Sequence, residues 1–166
     1  MKYNIHHAVV IGAGTMGGGI AALLANAGIR VSLLDIVPNK LTPEEERKGL
    51  SQADVQVRNR FSREGLERAV KSRPASFLTP DHAALVSVGN LEDDFDLIAQ
   101  TDWVIEVIIE NLKIKRDLMV RIDAVRQPHT IISTNTSGIP VASIAEGLSQ
   151  GFKEHFLGTH FFNPPR

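Results

Sequence analysis

The residues of this 166-residue chain best suited to chemistry fall at four places. Near the start, Gly12-Ala13-Gly14-Thr15-Met16-Gly17 follows an apolar run and opens a helical one. That order of parts holds a pyrophosphate: the free N–H groups of a helix start face the anion, and the glycines allow a sharp turn, close backbone approach and tight helix–strand packing. Asp35 closes the next apolar run. A carboxylate there accepts hydrogen bonds from ribose hydroxyls and repels a 2′-phosphate, which favours NAD over NADP.

The other three places close later apolar runs, where ligands of open α/β sheets sit. Glu106-Val107-Ile108-Ile109-Glu110-Asn111-Leu112-Lys113-Ile114-Lys115 puts Glu110 at a strand-to-helix turn and Lys115 about a turn further on. Charges there serve either as caps and solvated surface or as ligand contacts. Ser133-Thr134-Asn135-Thr136-Ser137-Gly138 offers several small hydrogen-bonding groups, fit for a capping loop or for positioning a substrate. Ser137 has no adjacent acid and no G-x-S-x-G elbow, so hydrolase chemistry has little support. His160, followed by Phe161-Phe162-Asn163-Pro164, is either a core histidine or, at the mouth of the sheet, a side chain that exchanges a proton near neutral pH beside a nicotinamide. His6, His7, His82, His129 and His155 lack metal-ligand spacing, and no metal is expected.

Positioning these groups requires strands that end on one edge. Apolar runs at about 7–11, 30–34, 84–88, 103–108, 129–133 and 156–160 alternate with helical segments, the pattern of a parallel sheet covered on both faces. A helix is expected over Thr15–Ala27 with Gly28 as its stop, and further starts at Thr42-Pro43-Glu44-Glu45, Thr79-Pro80-Asp81 and Asn90-Leu91-Glu92-Asp93. The fold class is α/β, a Rossmann-type doubly wound parallel sheet with a helical excursion after the second strand, in one domain spanning 1–166.

That excursion, residues 37–76, exceeds what a βαβ crossover needs. It carries Arg47, Lys48, Arg58, Arg60, Arg63, Arg68, Lys71 and Arg73. It reads either as a solvated face or as a basic arm that meets a phosphorylated substrate. The formal net charge of −1 gives no case for nucleic acid or an anionic membrane as partner, and no run is long enough for a membrane span. The chain has no cysteine, which excludes disulfides and thiol nucleophiles and suits a reducing compartment. With no signal-peptide pattern at Met1, a cytoplasmic location is expected.

Taken in order, Gly12-Ala13-Gly14-Thr15-Met16-Gly17, Asp35, Val104 to Asn111, Asn135-Thr136-Ser137 and His160-Phe161-Phe162-Asn163-Pro164 resemble the NAD-binding domain of the L-3-hydroxyacyl-CoA dehydrogenases over nearly the whole chain. The resemblance implies that His160 is the general base for the substrate 3-hydroxyl and that Ser137 bonds the reacting oxygen near the cofactor. It implies NAD contacts for Gly12, Gly14, Thr15, Met16, Gly17, Asp35, Glu110, Lys115, Ser137 and Asn163. It makes the excursion a coenzyme A arm, with Arg58, Arg60, Arg63, Arg68 and Lys71 as candidates.

In that family a glutamate after the His-Phe-Phe-Asn-Pro motif pairs with the histidine, and a C-terminal helical domain covers the substrate and forms a homodimer. The chain ends at Arg166, before these, so it is expected to be a fragment that binds NAD but turns over poorly alone. No enoyl-CoA hydratase module is expected ahead of Met1, while one following Arg166 is left open. Competing readings are a dehydrogenase of a hydroxy acid or sugar acid without CoA, and a dinucleotide-sensing module without catalysis.

Overall fold

In the computed structural model, which describes residues 4–165, six strands form one parallel sheet. They are β1 (His7–Ile11), β2 (Arg30–Asp35), β3 (Val86–Asn90), β4 (Trp103–Glu106), β5 (Ile131–Thr134) and β6 (Phe156–Gly158), arranged β3-β2-β1-β4-β5-β6. The order reverses between β1 and β4, the switch point where doubly wound sheets open a crevice. Register carries every strand end to the same edge: Ile11 pairs with Leu34 and with Glu106, Glu106 with Thr134, and Thr134 with Gly158.

Alternation along β1 divides the core in two, because successive side chains point to opposite faces. Val9 and Ile11 face one layer with Phe95, Ile98, Val104, Leu118, Ile122, Ile132 and Phe152. Ala8 and Val10 face the other, with Ile20, Leu24, Val31, Leu33 and Ile105. The second layer is covered by helix α1 (Thr15–Asn26), which stops where Gly28 turns at a φ of +82°. Each buried Val, Leu or Ile contributes about 1.5–3 kcal/mol, so both faces must be roofed for the sheet to exist.

The excursion is three helices: α2 (Pro43–Arg47), α3 (Val55–Arg58) and α4 (Arg60–Lys71). Helix α2 begins as expected, with Thr42 Oγ1 accepting from Glu45 N and Glu45 Oε2 accepting from Thr42 N. Helix α4 does not project from the domain. It lies on α1 and the β2–β3 side of the sheet, with Arg60, Ser62, Gly65 and Ala69 buried. Short α5 (Pro80–Ala83) leads into β3, a 3₁₀ helix (Phe95–Gln100) into β4, α6 (Leu112–Val125) into β5, and α7 (Val141–Ile144) and α8 (Gln150–Lys153) into β6.

Three expectations shift. The helix start at Asn90 is instead the last residue of β3, whose Oδ1 accepts from Glu92 N and Asp93 N in a turn. The strand expected over 103–108 ends at Glu106, because Val107, Ile108 and Ile109 leave the sheet to line the crevice. Likewise β6 ends at Gly158, so His160 lies beyond it. Among the described residues, no helix is long and apolar enough to cross a membrane.

Candidate functional site

Gly12 turns the chain at the end of β1 with a φ of +103°, a conformation L side chains rarely adopt. Its N–H still donates to Leu34 O at 2.8 Å, so the loop remains stitched to the sheet. Helix α1 opens at Gly14 with no side-chain cap and no acid in its first turn. In contrast, α2, α6 and α8 are each capped by their own Thr42, Asn111 and Ser149. The bare N-terminus of α1 is therefore open to an external anion. Asp35 grips this loop directly, with Oδ2 accepting from Ala13 N at 2.6 Å and Oδ1 from Ile36 N at 2.7 Å.

Beside it lies a cleft of about 520 Å³ at the switch point. Gly12, Gly14 and Asp35 line it with the apolar groups Ile36, Leu91, Val107, Ile108 and Ile109. Helix α6 supplies the far wall through Ile114, Asp117, Leu118 and Arg121, and Arg121 is held over the Phe95 ring at 4.0 Å and by Leu91 O at 2.9 Å. Exposed apolar groups such as Ile36, Ile109 and Ile114 suit the face of a flat aromatic base. Sequence reasoning missed this wall, although the spacing 114, 117/118, 121 places those residues on one helical face.

Thr15 is exposed at the loop, Met16 half-buried and Gly17 buried. Helix α1 spends three successive glycines on close contacts. A Cβ on Gly17 would collide with the Gly12 carbonyl, one on Gly18 would lie 2.9 Å from Gly65 O, and one on Gly19 would lie 2.9 Å from Pro165 Cδ. Glycine costs a helix interior about 1 kcal/mol relative to alanine, so a run of three is retained for approach, not for helicity. Loop, excursion and chain end thus meet on one helix.

The groups beyond β4 and β5 form a second cluster. Glu106 is fully buried and Lys115 is 1% exposed, and Lys115 Nζ donates to Glu106 Oε1 at 2.7 Å and to Ile108 O at 3.3 Å. Thr134 Oγ1 donates to Glu106 Oε2 at 2.5 Å and Ile108 N to Glu106 Oε1 at 2.7 Å. Lys115, which the resemblance places against NAD, is therefore spent inside the protein. Its periodicity on α6 carries it inward, and a buried charge must find its partner within.

Glu110 remains exposed, and its carboxylate accepts from Thr136 Oγ1 and, at 3.0 Å, from Ser137 N. Burial pushes its carboxyl up, but the Thr136 hydroxyl, the Ser137 amide and the Lys115 charge outweigh this and leave it below the usual carboxylate range. Glu110 thereby ties the β4 turn to the loop that presents Ser137.

His160 is exposed, not a core histidine, and its ring meets Phe162 edge-on at 5.4 Å. The segment is anchored by Phe161 N donating to Asn135 Oδ1 at 2.9 Å and by Thr159 N donating to Thr134 O at 2.9 Å. It then crosses to α1, where Pro165 is buried against Gly19. Exposed Asn163 lies on this crossing. Gly12, Gly14 and Asp35 share the cleft, while Glu110, Ser137 and His160 lie outside its lining on the same sheet edge.

Of the basic excursion, two members are already engaged. Arg58 pairs with Asp93 at 2.6 Å and Glu92 at 2.8 Å, and buried Arg60 pairs with Glu45 and with Lys40 O at 2.9 Å. Both hold the excursion to the domain. Arg63 has no ion-pair partner among the described residues, Lys71 only an exposed one with Glu67, and Arg68 donates to Ala13 O at 2.9 Å.

An uncapped helix start, a glycine turn, an acid at the cleft and an apolar lining fit a dinucleotide. Residues 7–166 match the family described as 3-hydroxyacyl-CoA dehydrogenase, NAD binding domain. The chain belongs to that family. A probable 3-hydroxyacyl-CoA dehydrogenase of Bacillus subtilis (strain 168) is 50% identical over 166 residues, all of this chain and 21% of the relative. The mitochondrial hydroxyacyl-coenzyme A dehydrogenase of Homo sapiens is 33% identical over 98% of this chain and 48% of its own length. The crystal structure of (S)-3-hydroxybutyryl-CoA dehydrogenase PaaH1 from Ralstonia eutropha superposes with a TM-score of 0.66 at 31% identity, covering 98% of this chain and 51% of that one. This 3-hydroxyacyl-CoA dehydrogenase NAD-binding domain thus spans between about a fifth and a half of these relatives.

Proposed function

We propose that the chain is the cofactor-binding part of an enzyme that oxidises L-3-hydroxyacyl-CoA to 3-oxoacyl-CoA in fatty acid β-oxidation. The observation that carries this reading is the exposure of His160 on the same sheet edge as the bare α1 start. NAD, when bound, supplies the hydride acceptor. Gly12, Gly14, Thr15, Met16 and Gly17 would hold its pyrophosphate, Asp35 its ribose, and the apolar cleft its adenine, with Asn163 and Ser137 further along the edge. His160 accepts the 3-hydroxyl proton on an imidazole nitrogen as the C–H electron pair leaves, so the carbinol becomes a carbonyl. Ser137 directs the reacting oxygen, and Glu110 holds Ser137 through its amide. Lys115 acts at one remove, by filling the buried pair beneath this edge.

For the coenzyme A phosphates, Arg63, Arg68 and Lys71 are the exposed or half-buried cations available; Arg58 and Arg60 leave this role for internal ion pairs. A homodimer formed through a C-terminal domain outside these residues and a cytoplasmic setting complete the reading, the latter supported by the lack of cysteine. The test compares this chain with one extended to the length of its relatives. Both are expected to bind NADH by fluorescence titration, while only the extended chain oxidises 3-hydroxyacyl-CoA efficiently. Equal turnover by the 166-residue chain would overturn the view that further residues complete the site.

A further inference from the structure

At the centre of the cofactor loop, Ala13 is held through both of its backbone groups, which belong to successive peptide planes. Its N–H donates to Asp35 Oδ2 at 2.6 Å, and its carbonyl accepts from Arg68 Nη2 at 2.9 Å. The second contact comes from α4, the last of the excursion's three helices. What lets α4 come so near is glycine on both sides: a Cβ on Gly65 would lie 2.8 Å from Ala13 Cβ, and a Cβ on Gly18 would lie 2.9 Å from Gly65 O. Arg68 is not committed to a strong ion pair, its nearest acid being Glu64 at 3.9 Å with both side chains about half exposed.

We propose that Arg68 and Gly65 are positioning residues for the pyrophosphate loop, so that the excursion is a structural wall of the cofactor site and not only a substrate arm. A loop that must present its N–H groups to an anion gains from having its peptide planes fixed beforehand, since ordering them on binding subtracts from affinity. Asp35 alone fixes only the Gly12–Ala13 plane. The guanidinium fixes the next plane, Ala13–Gly14, and so the direction in which the Gly14 N–H points. This rests on the chain's being an NAD-binding domain, so the measurements separate loop order from binding as such.

Arg68→Ala and Arg68→Gln are compared with Glu67→Gln, a surface change on the same helix. In the ligand-free chain, amide hydrogen exchange at Gly14 to Gly17 is expected to quicken in both Arg68 variants and not in the control. NADH affinity is expected to fall about fivefold, with adenosine, which lacks the pyrophosphate, binding as before. Gly65→Ala is expected to give the same pattern more strongly; if it fails to fold, the Arg68 variants still decide. Unchanged exchange and NADH affinity in the Arg68 variants would overturn the proposal. So would an equal loss for NADH and adenosine, which would mean that Arg68 merely stabilises the domain.

Discussion

The two halves of the sheet's working edge are held by different means. Around β1, α1 and β2 the site is made of backbone: a positive-φ turn, an uncapped helix start and a loop clamped by Asp35 and Arg68. Around β4, β5 and β6 it is made of side chains, with Glu110 reaching the Ser137 loop and Asn135 tethering the His160 segment. A backbone site takes its shape once its two strands and helix have formed, and α4 then adds the Arg68 clamp. A side-chain site depends on every strand beside it and stays exposed until something covers it. Cofactor binding should therefore be the sturdier property of this domain, and the proposed proton transfer at His160 the more fragile one.

His160→Gln, made in a chain extended to its relatives' length, should separate the halves most widely. Turnover is expected to fall by about 10²- to 10⁴-fold while NADH affinity stays within twofold. Retained turnover would remove His160 from the chemistry. Next comes Lys115→Met, which leaves the Glu106 carboxylate buried without its cation. Urea unfolding should show a loss of about 3–5 kcal/mol, and a loss under 1 kcal/mol would mean that the pair is not closed off from water. Gly17→Ala presses a methyl on the Gly12 carbonyl. It is expected to weaken NADH by about tenfold or more while circular dichroism remains that of the parent, and unaltered binding would show that the loop is more pliant than its contacts imply.

The smallest effect is electrostatic. Glu110 is held below its usual value in the folded chain, so the stability it contributes is present above that value and is lost as pH falls through the depressed one. Glu110→Gln should flatten the stability-against-pH curve on the acid side only, as thermal midpoints across pH would record. An unaltered acid limb would mean that the ties to Thr136 and Ser137 are not formed in solution.

Much of this was legible beforehand because it is local. The order strand, glycine turn, helix, strand, acid is written between His7 and Asp35, and their spacing alone implies an anion at the helix start. The alternation of apolar runs and helices likewise implied a parallel sheet, and no strand end moved by more than two residues. His160, Ser137 and Glu110 were legible as candidates from their places at strand ends, though not their ties to one another. What stayed hidden was long-range: Lys115 turned inward, Arg58 and Arg60 were taken by acids, and α4 lay flat on α1.

The sequence by itself determined the cofactor fingerprint, because that site is a property of backbone conformations that glycine and a single acid impose on their own neighbourhood. Only the tertiary structure decided which charges are free. An ion pair or a glycine notch forms between residues far apart in the chain, such as Arg68 and Ala13 or Gly19 and Pro165, and no local pattern records which partner a folded helix will bring to it.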